Sequence, residues 1–473
     1  MGATEQLAAF AIDTPGDFLD PGLVESVKEK FLDTIGISVA GAHSPAGRIA
    51  FAAIAEMGGH AEATIIGRAD KSSSVHAGFV NGVSAHALEY DDNTRNAGHI
   101  SACLVPGCLA VAEKLNLSGR ELVEAFVIGF EISYRIGSGL KPFLFDRGWN
   151  PTGLVGGQGV AAASCRMMGL DKAATQMAMG IMASSGTGLR KNVGSMGKAF
   201  HVGNGVRAGI FAAIMARHGF QVDPDIIEGS DEGGGEGHQR FGLVDAFAGT
   251  GNYRADRMVG GLGGGFELCR DTTMVRMHPG STVIGAAIDG IIDLAVSHDI
   301  TAAEVDEIHV GCHPRMLAIA SYTEPSDGYR AKFCPPYIFA VALIDRKVGV
   351  AQYSDYRIRD HDVLDVMRRI KVTVCDDLKD HRGQWGEGGI NWGEARIAIK
   401  LRDGRVLRKD CATAKGWPGQ RASWGDLCGK YEECTEKILS RAQVLETIEM
   451  IQRLPELASV RDLTRTLMTR SLE

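Results

Sequence analysis

The stretch GLVGGQGVAAASCRMMG, residues 153–169, is built mostly from glycine, alanine, serine and methionine, and it shows no strand-like alternation. The same texture runs on to Gly219. Small side chains let helix backbones approach closely, so this segment predicts a tightly packed helical core. Upstream, Val24-Glu25-Ser26-Val27-Lys28-Glu29-Lys30-Phe31-Leu32 places apolar residues at helical spacing, with Gly36 expected near the helix end. Ser118-Gly119-Arg120-Glu121 reads as a capping box opening another helix, followed by Leu122, Phe126, Val127 and Ile132 at helical intervals. Residues 1 to 265 therefore read as helix after helix.

The segment 228–265 interrupts that pattern with Gly233-Gly234-Gly235 and Gly263-Gly264-Gly265, which read as hinge or linker, not as a phosphate cradle. Beyond it the periodicity shortens. Glu307-Ile308-His309-Val310-Gly311-Cys312-His313, Ile370-Lys371-Val372-Thr373-Val374 and Ala395-Arg396-Ile397-Ala398-Ile399-Lys400-Leu401 alternate as half-buried strands, the last followed by an Asp403-Gly404 turn. Helical stretches at 283–295 and 337–343 are interspersed. Residues 266–412 thus form an α+β domain. Residues 413–473 return to amphipathic helix, clearest at 437–453, and are expected to complete the first domain.

A length of 473 residues suits two domains. The net charge of −8 is spread along the chain, so no basic stripe points to nucleic acid and no Lys/Arg block to a membrane. An acidic protein that binds an acidic small molecule must concentrate positive charge locally. The first twenty residues have no basic n-region, and no apolar run approaches the roughly 20 residues of a membrane span. Ten cysteines occur without CxxC pairs, which fits reduced thiols and a cytoplasmic location.

Three clusters could carry chemistry. His86-Ala87-Leu88-Glu89-Tyr90-Asp91-Asp92-Asn93-Thr94-Arg95, closing with Gly98-His99, concentrates carboxylates and imidazoles. It reads equally as a loop in which Asp91, Asp92 or Asn93 caps a helix. As metal ligands, His86, Asp91 and His99 match no standard spacing, so no metal is expected. Lys198 and His201, three apart and flanked by glycines, can lie on one side of a turn entering a helix and suit a carboxylate. Arg276-Met277-His278-Pro279, Tyr322 and Lys332 form a weaker third set.

Together these stretches resemble the MmgE/PrpD family, which includes 2-methylcitrate dehydratase, cis-aconitate decarboxylase and iminodisuccinate epimerase. Phe31-Leu32-Asp33-Thr34-Ile35-Gly36 is similar to the family's LLDTLG opening, and His86-Ala87-Leu88-Glu89-Tyr90-Asp91-Asp92 to its HALDYDD signature. Asn81-Gly82 falls between them. Asn150-Pro151-Thr152-Gly153 resembles HPTG; Gly194-Ser195-Met196-Gly197-Lys198 and His201-Val202-Gly203-Asn204 resemble GSMTKPLHAGNAAR. Glu324-Pro325 through Ala331-Lys332-Phe333-Cys334-Pro335-Pro336-Tyr337 resembles the EP-x-T…AKFSLPY block.

The resemblance implies a mainly α fold, with a large all-helical domain and a smaller α+β lid. It also implies a homodimer, no cofactor, and proton abstraction alpha to a carboxylate of a small di- or tricarboxylate. By position, His99 corresponds to the family's active-site histidine, Lys198 to its anion-binding lysine, and Tyr322 to a pocket tyrosine. Four departures point to a different substrate: Glu89 for Asp, Asn93 for Thr, Asn150 for a pocket His, and Arg276-Met277-His278-Pro279 for Lys-x-aromatic-Pro.

The expected roles follow. His99 exchanges the proton, with Glu89 or Asp92 orienting its ring. Lys198, Arg276 and Lys332 bind carboxylates, and Tyr322 protonates a leaving group or the opposite face. Asn93, Asn150, His201 and His278 contribute to substrate binding. Elimination gives a dehydratase or other lyase; reprotonation on the other face gives an epimerase. A member that binds a carboxylate without turning it over is the remaining alternative, suggested by Asn150.

Overall fold

A computed structural model describes residues 2–186, 188–230, 240–270, 272–378 and 393–469. The fold is mainly α, with one four-stranded sheet among the described residues. The chain forms two compact units: Met1–Ala87, Asp91–Thr273 and Trp424–Glu473 make the first, Leu88–Tyr90 and Met274–Ser423 the second.

The first unit is helical. Its long helices start where the sequence supplies caps. Asp20 accepts from Leu23 N–H ahead of Pro21–Gly41, and Ser118 and Glu121 form the expected capping box ahead of Gly119–Leu140. Helix Pro21–Gly41 does not stop near Gly36 as expected. A Cβ there would lie 2.8 Å from the Tyr431 side chain, so this glycine lets helix Trp424–Thr435 pack closely instead of ending a helix. The segment 437–453 is likewise shorter as a helix than its periodicity suggests. Ser440 caps Arg441–Gln452, and Gln443 closes a second capping box.

Helix Met196–Arg217 packs against Ser74–Ala87 and Pro151–Met167. The small-residue composition explains how. A Cβ on Gly205 would lie 2.4 Å from the Gly153 carbonyl oxygen. Backbone touches backbone here, which a larger residue would prevent.

The second unit carries the sheet. Its strand order is Val406–Cys411, Ala395–Leu401, Val305–Cys312, Ile370–Val374; the first two pairings are antiparallel and the last is parallel. The parallel pair needs a long crossover. Helices Pro314–Ile319, Gly328–Ala331, Pro335–Asp345 and His361–Met367 supply it. In Ala395–Leu401 the alternating Ala395, Ile397, Ile399 and Leu401 are buried, as the sequence pattern requires. They face a core that includes Ile288 and Ile291 of helix Gly285–Ser297, and Phe339 of Pro335–Asp345. The Asp403-Gly404 turn closes through Gly404 N–H to Leu401 C=O at 3.0 Å.

Of the two glycine runs, residues 263–265 overlap a turn closed from Gly264 N–H to Gly261 C=O at 3.1 Å; residues 233–235 lie outside the described residues. No helix among the described residues is long and apolar enough to cross a membrane. None of the ten cysteines is in a disulfide, and seven of them are buried.

Candidate active site

The helical unit gathers His86, Asp91, Asp92, His99, Lys198 and His201, all buried. His86 sits in the last turn of helix Ser74–Ala87. The chain regains the unit at Asp91 and reverses at Thr94–Gly98, where Thr94 N–H donates to Gly98 C=O at 2.7 Å and Gly98 N–H to Thr94 C=O at 2.9 Å. Gly98 takes φ +79°, and a Cβ would meet Thr152 Oγ1 at 2.9 Å, so glycine is required on both counts. The reversal delivers His99 just ahead of helix Ser101–Leu115.

Contacts on either side of the His99 ring define its protonation pattern. Nδ1 lies 2.7 Å from the Asp92 carbonyl oxygen and 3.3 Å from Asp91 Oδ2. A carbonyl oxygen only accepts, so Nδ1 carries the proton, and in the neutral ring the lone pair falls on Nε2. The Asn93 amide nitrogen faces that nitrogen at 3.4 Å. Asp91 Oδ2 also accepts from His86 Nδ1 at 2.8 Å, and the two imidazole centroids are 4.6 Å apart. One carboxylate thus serves two imidazoles.

The electrostatics keep His99 neutral. Burial pushes its pKa from 6.5 to about 4; Asp91 opposes this, and Lys198 and His86 add to it. Burial, His86 and Lys198 also push His201 down to about 4. Lys198 lies in the first turn of helix Met196–Arg217, capped by Ser195, and His201 Nε2 faces the Asn192 amide nitrogen at 3.3 Å. Two neutral imidazoles beside a buried lysine make a place for an anion.

Asn150 holds the site indirectly. Its side-chain oxygen accepts from Thr152 N–H at 3.1 Å, capping helix Pro151–Met167, and Thr152 Oγ1 accepts from His99 N–H at 3.3 Å. The Asp92 carboxylate, expected to orient His99, instead accepts from Ser101 Oγ at 2.6 Å and pairs with Lys30 at 3.4 Å. It is the Asp92 backbone carbonyl that meets the ring.

His86, Asp91 and His99 also form a group whose ligand atoms all lie within 4.8 Å of one another. Tetrahedral zinc with bonds of about 2.0–2.1 Å would hold neighbouring ligand atoms roughly 3.3 Å apart. The 2.8 Å separation of His86 Nδ1 from Asp91 Oδ2 is that of a direct hydrogen bond.

The remaining expected residues belong to the sheet unit. Glu89 adopts φ +54°, and its carbonyl accepts from Gly280 N–H at 2.8 Å. Its carboxylate pairs with Arg276 Nη1 at 3.3 Å, and the same nitrogen donates to Gly280 C=O at 2.6 Å. The guanidinium is therefore engaged by its own unit. His278 faces Val348 C=O at 3.1 Å through Nδ1 and Asp289 Oδ1 at 2.8 Å through Nε2. Lys332 is buried, its Nζ 4.9 Å from the Tyr329 ring centroid. Tyr322 packs partly buried against the sheet core, with the Arg330 guanidinium 5.6 Å from its ring centroid.

The MmgE/PrpD N-terminal domain family matches residues 5–238, and the MmgE/PrpD C-terminal domain family matches residues 278–456. Among curated proteins, cis-aconitate decarboxylase of Mus musculus is 23% identical over 99% of this chain and 94% of its own length. The Aspergillus terreus enzyme of the same name is 22% identical over 98% and 96%. A cis-aconitate decarboxylase-like protein of Aspergillus oryzae is 26% identical over 94% of each. With both family domains matched in order along the chain, and His99 within the first of them, the chain belongs to the MmgE/PrpD family.

Proposed function

We propose that this protein is a lyase that removes a proton alpha to a carboxylate of a small di- or tricarboxylate, with His99 Nε2 as the base. The observation that carries this is the 2.7 Å contact of His99 Nδ1 with the Asp92 carbonyl, which fixes the proton on Nδ1 and the lone pair on Nε2. Asp91 supports the imidazolium as it forms, in place of the Glu89 or Asp92 carboxylate. Lys198 holds the substrate carboxylate and the charge that develops on it. An anionic substrate offsets Lys198 and so raises the basicity of His99 on binding.

In the elimination, the alpha C–H electron pair becomes the new double bond, the proton passes to Nε2, and hydroxide leaves the neighbouring carbon, taking that proton from the His99 imidazolium to depart as water and restore the neutral ring. The chemistry needs no group beyond the chain's own residues. Decarboxylation is the second reading, supported by the relatives named cis-aconitate decarboxylase. Epimerisation would need a second acid on the opposite face. The proposal extends to a homodimer, which rests on the resemblance to the family alone, and to the cytoplasm, supported by ten cysteines that form no disulfide.

The test is incubation with a panel of di- and tricarboxylates in deuterated water, read by NMR. Deuterium entering at an alpha carbon, or loss of that carbon's proton with a new vinylic signal, is the expected result. A panel that shows neither exchange, elimination nor carbon dioxide release overturns the lyase reading.

A further inference from the structure

Behind the His99 loop lies a set of buried charges that the proposed chemistry does not use. Helix Pro21–Gly41 carries Lys30 and Asp33, three residues apart on one face, and helix Trp424–Thr435 contributes Lys430. Lys430 Nζ is 2.5 Å from Asp33 Oδ1, and Lys30 Nζ is 3.4 Å from Asp92 Oδ2. Asp33 also feels the charges of Lys30 and Asp92. Positive and negative therefore alternate along Lys430, Asp33, Lys30 and Asp92, none more than 4% exposed.

Such a row is costly. Removing four charges from water loses more than the pairings recover in many proteins, and hydrophobic replacements would serve stability as well. What hydrocarbon could not supply is direction. Asp92 is held at its side chain by Lys30 and by Ser101 Oγ at 2.6 Å, and its carbonyl accepts from His99 Nδ1 at 2.7 Å. Rotating that residue would turn the carbonyl away from the ring and remove the nearer acceptor of Nδ1, leaving Asp91 Oδ2 at 3.3 Å, which His86 shares.

We propose that Lys30, Asp33 and Lys430 are positioning residues: the buried row fixes Asp92 so that its carbonyl holds His99 in the tautomer with the lone pair on Nε2. The inference rests on His99 as the base, but it can be tested apart from the reaction. Nitrogen-15 NMR of histidine-labelled protein reads the His99 tautomer directly, with no ligand present. The wild-type protein is expected to show the Nδ1–H form alone at neutral pH. Lys30→Met should show a mixture of tautomers, and Lys30→Arg should restore the single form. With the panel carboxylate that exchanges fastest, Lys30→Met should lose on the order of tenfold or more in kcat while KM stays within about twofold, since small misplacements of a catalytic group act on rate.

A folded Lys30→Met protein with the wild-type tautomer overturns the proposal, whatever its turnover, because a merely structural lysine would give that result. A mixed tautomer with unchanged turnover supports the row and instead overturns His99 as the base. If Lys30→Met does not fold, Lys30→Met/Asp92→Asn removes both charges together and is read in the same way.

Discussion

Asp91 is the residue whose replacement most sharply tests the site. Asp91→Asn keeps the side chain's size but removes its charge and leaves one acceptor oxygen. In the wild-type protein Asp91 Oδ2 accepts from His86 Nδ1 at 2.8 Å and lies 3.3 Å from His99 Nδ1. Its charge is also the strongest influence opposing the burial that pushes His99 down to about 4. Without it, the imidazolium formed during proton transfer loses a charge-assisted partner worth about 1.5–3 kcal/mol. We expect Asp91→Asn to lower kcat by roughly ten- to a hundredfold, since about 1.4 kcal/mol is a factor of ten. KM should change little, because no substrate contact is assigned to Asp91. The assay is turnover and alpha-deuterium exchange with the most reactive panel carboxylate, with circular dichroism to confirm the fold. A folded Asp91→Asn enzyme that exchanges at the wild-type rate refutes the shared-carboxylate arrangement.

Four further expectations follow from the same geometry. His99→Gln should fold but lose at least about a hundredfold in turnover, and alpha-proton exchange with it; wild-type exchange in that variant means another base. Lys198→Ala should lose about 2–4 kcal/mol of transition-state stabilisation, and Lys198→Arg should not restore it fully, because a planar fork presents different geometry. Near-normal kcat/KM in the alanine variant removes Lys198 from the site. Chelation with EDTA should leave fold and activity intact; activity that vanishes and returns with a divalent ion would show that His86, Asp91 and His99 hold a metal.

The fourth concerns pH. His99 titrates near 6.5 when unfolded and about 4 when folded, so the unfolded chain binds more protons between those values and stability falls as pH drops from 6.5 to 4. That window carries about 3 kcal/mol for this group. Burial raises the pKa of Asp33 and Asp92, which acts oppositely: their contribution favours the fold below pH 3.8 and is lost as pH rises above it. Urea unfolding of wild type and His99→Gln at several pH values isolates the histidine; parallel pH dependences would count against a buried neutral His99.

The fold was legible where periodicity and caps agree. Ala395–Leu401 alternates, and Ser118 with Glu121 announces Gly119–Leu140; both stand as read. Gly36 misled because a glycine that ends a helix and one that admits a neighbour look alike in sequence; only the 2.8 Å approach of Tyr431 distinguishes them. In the site, His99 and Lys198 could be placed by motif, but the partner of His99 could not. Glu89, Asp91 and Asp92 are three carboxylates within four positions, and loop geometry decides where each points. Glu89, at φ +54°, turns to Arg276, Asp92 to Lys30, and Asp91 to the two imidazoles. The burial of Lys30 and Asp33 was not legible either, although Asp33 stands in the LLDTLG-like opening, since a charged pair on a helix ordinarily reads as solvated surface.

The glycine contacts of helix Met196–Arg217 carry a consequence for its mutational landscape. A Cβ on Gly203 would lie 2.6 Å from Phe79 O, on Gly205 2.4 Å from Gly153 O, and on Gly209 2.6 Å from Gly157 O. Alanine favours most helices over glycine by up to about 1 kcal/mol, yet here it is the substitution that pushes backbones apart. A saturation library across residues 196–217 should therefore show two unrelated kinds of intolerance. Lys198 variants should accumulate as folded, inactive protein, whereas alanine at 203, 205 or 209 should be depleted before activity is ever scored. Tolerance at the glycines would follow side-chain volume alone and be indifferent to charge.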